Sequence, residues 1–110
     1  MDLERFRGHA LTSVVVRTDV EPSEALVVLT SGLASTTLRL SRVMHARVDV
    51  CSPEGDVVEE VVVRELPKDG PWPPEAQHLL QHHNNRSALY WLTLVGPSEV
   101  EIVAQSFEAG

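Results

Sequence analysis

Ser87 to Phe107, SALYWLTLVGPSEVEIVAQSF, is the stretch whose reading decides the fold. Tyr90, Leu92 and Leu94 share one parity, and Trp91, Thr93 and Val95 the other. Gly96, Pro97 and Ser98 interrupt the run, after which Val100, Ile102 and Ala104 alternate with Glu99, Glu101 and Val103. Period-two alternation on both sides of a Gly-Pro-Ser turn marks an antiparallel hairpin. Glu99 and Glu101 define the wet face of its second strand. The same stretch holds the only Tyr and one of the two Trp.

Upstream lies a Pro-rich connector, Pro67 to Pro74, in which ring-locked φ angles favour an ordered path over a flexible linker. Pro74 followed by Glu75 is a helix start, and the spacing predicts one short helix from Glu75 to about Asn84 with Ala76, Leu79, Leu80 and His83 on one face. A helix of that length is marginal in isolation and has to dock on a sheet.

Earlier segments repeat the strand pattern. Ala10 to Asp19, with Val14, Val15 and Val16 at its centre, reads as a first strand, and Ala25 to Thr30 as a second. A turn at Ser31 to Ser35, with Gly32 free to take a positive φ, leads into the long run Thr36 to Cys51. Leu38, Leu40, Met44, Ala46, Val48 and Val50 share one parity there, opposite Arg39, Ser41, His45, Arg47 and Asp49. The disturbance near Arg42 and Val43 predicts a bend or β-bulge between two strand segments. Ser52 to Asp56 is a further turn. Val57 to Leu66 is a strand with apolar residues in both parities, as expected of one covered on both faces.

The expected fold is therefore α+β and mainly β: an antiparallel twisted sheet or small β-sandwich of six to seven strands, with one short helix before the last hairpin. At 110 residues, one domain spanning residues 1–110 is the natural division, large enough to fold without disulfides or metals. Cys51 is the sole cysteine, which excludes an intramolecular disulfide and points to a reducing, cytoplasmic setting. Neither a signal peptide nor an apolar run of transmembrane length is found. A formal net charge of −7 speaks against nucleic acid and anionic membrane as partners, since both are bound through clustered Lys and Arg. The preference for Arg over Lys and Val over Ile resembles that of many short bacterial proteins and implies no activity.

Candidate sites are sparse. His78 and His82 stand four apart on the expected helix, the spacing from which a divalent metal takes two imidazoles, yet two ligands do not complete a site and Leu79 occupies the place of a zincin general base. Solvated helix histidines are the commoner outcome. Trp72, Trp91 and Tyr90 are candidates for a ligand groove between the connector and the last hairpin, against core packing as the usual employment of large aromatics. Arg39, His45 and Arg47 form a basic strip that cross-strand pairing with Glu59 or Glu60 would neutralise. Cys51, six residues from His45, reads as a structural thiol.

No catalytic motif and no cofactor signature is found. The leading expectation is a non-catalytic protein-interaction, immunity-type or accessory protein acting through a sheet edge or the aromatic region, with a homodimer through a sheet edge as an accompanying possibility. The alternative is a small-ligand or metal-binding domain.

Overall fold

The computed structural model describes residues 3–49, 57–66, 74 and 88–109. A single 3-10 turn, Glu4–Phe6, precedes six strands: β1 (Ala10–Arg17), β2 (Glu24–Ser31), β3 (Ala34–Asp49), β4 (Glu60–Leu66), β5 (Leu89–Val95) and β6 (Glu99–Ala109). All pairings are antiparallel, in the order β1-β2-β3-β6-β5-β4. The sheet is thus two three-stranded meanders joined along β3 and β6.

Six strands in one sheet match the lower of the expected counts, and among the described residues there is no second sheet to make a sandwich. One sheet rolls so that its two ends meet. Ala10 makes an antiparallel bridge with Val57, the Gly8 N–H donates to the Val58 carbonyl (2.8 Å), and the Val58 N–H donates to the His9 carbonyl (2.9 Å). Rolling supplies the cover that a second sheet would otherwise give. A single core cluster takes Ala25, Val27 and Leu29 from β2, Leu38 and Leu40 from β3, Val61 and Val63 from β4, and Leu92, Leu94, Val100, Ile102 and Ala104 from β5 and β6. Strands lie about 4.8 Å apart, so the outer members of a flat six-stranded sheet could not share one core. Leu3 and Phe6 fill the end beside β4, which makes the short N-terminal turn part of the core.

Local irregularities set which residues reach that core. In β1 the register shifts between Leu11 and Ser13, so Leu11 and Val14, three apart, both pack inward. In β3 the expected disturbance is real: Arg42 sits at φ 58° and the register with β6 shifts between Val43 and His45. Leu40 and Val43 therefore point inward together. The displaced amides are taken up by Ser23, whose carbonyl accepts the Arg42 N–H (2.7 Å) and whose Oγ accepts the Val43 N–H (3.0 Å). Gly32 at φ 60° opens the two-residue connection between β2 and β3, the glycine-first pattern of a type II′ turn.

The helix expected over Glu75 to Asn84 falls outside the described residues. β4 ends the strand order, yet it is buried on both faces as expected, Val61 and Val63 in the main core and Leu66 in a second cluster.

The turn between β5 and β6 crosses the closing seam at Gly96, where an added Cβ would stand 2.7 Å from the Val57 carbonyl oxygen. Since that neighbour is backbone, Gly96→Ala should destabilise by about 1–3 kcal/mol, read as a lower urea midpoint at unchanged slope. A wild-type midpoint would mean that the seam yields freely.

Candidate functional site

The outward face of β3, β6, β5 and β4 carries the most elaborate side-chain arrangement. One row across the four strands runs His45, Val103, Trp91, Arg64, and the next runs Arg47, Glu101, Thr93, Val62. Glu101 reaches diagonally out of its row in both directions. One carboxylate oxygen lies 2.9 Å from His45 Nε2, and the other accepts the Trp91 indole N–H at 3.2 Å. The Arg64 guanidinium stands over the Trp91 ring, 5.6 Å from its centroid.

On the same outward side of the sheet, Leu66, Leu89, Trp91 and Val103 form a second buried cluster. This explains the mixed parity read in the sequence. Outward positions on these strands are apolar because they too are buried.

The aromatic pair of the last hairpin divides between the two faces. Tyr90 packs with the main core and lies 6.4 Å from the Phe107 ring centroid, whereas Trp91 is 5% exposed in the second cluster with its indole N–H satisfied. Adjacent residues of a strand point oppositely, so the structure does not bring Tyr90 and Trp91 together in one groove. Trp72, His78, His82 and Cys51 lie outside the described residues.

The expected neutralisation of the basic strip takes a different form. β3 has β2 and β6 as its neighbours, not β4, so Glu59 and Glu60 are out of reach. Arg47 pairs with Glu99 (3.5 Å) and Asp49 (3.4 Å), and His45 pairs with Glu101. Glu101 itself departs from the wet-face reading, since its side chain is 17% exposed. A signal for it did exist: folding the hairpin about Pro97 sets Glu101 opposite Thr93 and diagonal to Trp91.

Chemically, this arrangement orients and holds. Both Glu101 oxygens are engaged, and among the described residues no group of three or more His, Cys, Asp or Glu is placed to hold a metal. A groove of about 730 Å³ follows the seam, lined by Arg7, Glu59, Glu60 and valines including Val57 and Val95. Its walls offer few converging polar groups.

A different kind of surface lies along β1. Its inner edge pairs with β2 over the whole strand, while on the other side the described residues meet it only at Ala10. Val15 and Val16 are 44% and 37% exposed there. The strand contains no Pro, Lys or carboxylate, and Arg17 at its end is drawn to Glu24 (3.4 Å) and Asp19 (4.0 Å). Edge strands that must stay unpaired are usually blunted by Lys, Pro or bulges. Between Ser13 and Val16, β1 carries none of these.

No protein-family model matches the chain, and a search of curated proteins finds no significant match. Among the described residues, no helix is long and apolar enough to cross a membrane.

Truncating Glu101 tests the arrangement on the outward face. Glu101→Ala leaves the buried Trp91 N–H without its acceptor and should cost about 1–3 kcal/mol, whereas Glu101→Gln, which keeps an amide oxygen for Trp91, should cost less. Chemical denaturation of both variants checks the order, and equal losses would show that the indole contact contributes nothing.

Proposed function

We propose that the protein is a non-catalytic interaction module that takes up an extended segment of a protein along the free edge of β1. The observation that carries this reading is an eight-residue strand at the end of the sheet that, among the described residues and apart from the bridge at Ala10, is paired on one side only, with adjacent valines exposed towards its C-terminal end. Such an edge presents unpaired N–H and C=O groups as a ready template. Strand addition draws affinity from main-chain hydrogen bonds and specificity from alternate side chains.

Two further features support the reading. The rolled sheet holds β1 in place through β2, whose Ala25, Val27 and Leu29 are fully buried, so the edge is presented on a rigid base and little ordering is required on binding. The most developed polar arrangement, at Glu101, is occupied in holding His45 and Trp91, which fits a structural role better than a reactive one.

A displayed library of random linear peptides, selected on the wild-type protein, provides the test. Selected peptides should be rich in β-branched residues, and their binding should fall at least tenfold on Val15→Lys, with far-UV circular dichroism unchanged. Peptides that bind Val15→Lys as well as wild type, or a selection that enriches nothing, would remove β1 as a docking edge.

A further inference from the structure

We infer that the segment taken up by β1 is β1 of a second copy of this chain, paired antiparallel across a two-fold axis at Val15. The inference rests on the strand-uptake reading and names its occupant. It follows from the chemistry of this edge compared with the rest of the surface. The chain carries a net charge of −7, and β2, β3, β4 and β6 all contain carboxylates: Glu24, Asp49, Glu60 and Glu65, and Glu99, Glu101 and Glu108. β1 contains none. Of the two strands at the ends of the sheet, it is the one along which two acidic molecules approach with the least local repulsion.

A partner selected by opposite charge would find little on β1 to recognise. Its one formal charge, on Arg17, is already compensated by Glu24 and Asp19. What the edge offers is a run of three valines.

Register follows from the same composition. Antiparallel pairing about Val15 sets Val15 against its own copy, Val14 against Val16 on either side, and Arg17 against Ser13. Every valine then meets a valine and no like charges face each other. Moving the axis to Val14 sets Val15 against Ser13 and Val16 against Thr12, which loses most of the apolar match. Directly opposed side chains on paired strands contribute individually, with β-branched pairs among the better ones. A two-fold axis makes the contact closed, so it yields a dimer and not a fibre.

Pairing along one edge buries less than a standard interface of about 1,200–2,000 Å², so the dimer belongs to the weak, concentration-dependent class. Beyond the edge, two copies of charge −7 repel. Added salt screens that repulsion and strengthens this contact, whereas it weakens capture of a basic partner.

Sedimentation equilibrium of the full chain, from about 10 µM to about 1 mM and at low and moderate salt, is the primary measurement. The mass should rise from 12.1 kDa towards twice that value, further at moderate salt. Val15→Lys should remain at the monomer mass, and Val15→Thr, which keeps strand propensity but loses a methyl group, should fall between. In a Cys51→Ser background, Val15→Cys exposed to oxidised glutathione should form a disulfide dimer several-fold faster than Leu33→Cys. Leu33 is fully exposed at the tip between β2 and β3 and so reports random collision.

A monomer mass at every concentration and salt, undiminished dimerisation of Val15→Lys, or equal cross-linking at the two positions would each overturn the inference. A monomer that still selects β1-dependent peptides would lose the second copy as occupant and keep the strand-uptake reading. A monomer that selects none would lose both.

Discussion

The hydrogen-bonded seam between residues 8–10 and 57–58 is the constraint on which the rest of the molecule depends. A single antiparallel sheet has two faces, and an apolar face left flat would need another layer to bury it. Here the sheet buries its inner face against itself, which brings the start of β1 within hydrogen-bonding distance of the residues just ahead of β4. That demand propagates into particular residues. Gly96 has no Cβ where the last turn passes over the Val57 carbonyl, Phe6 and Leu3 fill the end of the core, and the shifts in β1 and β3 give the strands the bend that a rolled sheet needs.

Rolling also explains why the two halves of the sheet differ on their outward side. On β3 to β6 the outward face holds a second apolar cluster and the Glu101 arrangement; on β1 and β2 it holds Val15, Leu26 and Val28 in exposed or half-buried positions. Polar contacts on the first half are of unequal weight. Glu101 is mostly buried and makes two directed contacts, so its loss leaves a donor unsatisfied. Arg47 is 60% exposed, and its pairs with Glu99 and Asp49 sit in water where ion pairs contribute little. What holds this face together is therefore the apolar cluster beside Glu101 more than the exposed charges around it.

Much of the fold was legible in the sequence because two-residue alternation reports which face a side chain occupies. The strand positions, the turns at Gly32 and Gly96, and the disturbance at Arg42 and Val43 all come from that signal and from turn chemistry. Partner choice leaves no such mark. Nothing in Arg39, His45 or Arg47 says that β6 will lie beside β3, so Glu59 and Glu60 were assigned across the wrong pair while Glu99 and Glu101 took the role. Glu101 was read as solvated because a carboxylate in an alternating strand usually is. Its burial depends on Trp91 and His45 arriving from two other strands. Tyr90 and Trp91, expected with Trp72 to line a groove between the connector and the last hairpin, are adjacent in β5, and adjacency in a strand places them on opposite faces.

The closing of the sheet and the openness of β1 are connected. A fully closed barrel has no edges, whereas among the described residues this sheet meets at a single bridge, at Ala10, past which β1 continues with pairing on one side. Past that bridge β1 runs seven more residues, to Arg17. β4, running from Glu60 to Leu66, is met instead by the turn at Glu4–Phe6. The start of β1 thus meets the residues just ahead of β4, and β4 meets the turn just ahead of β1. A sheet closed in this way buries its core and, among the described residues, still leaves a length of β1 paired on one side, and that length carries no carboxylate.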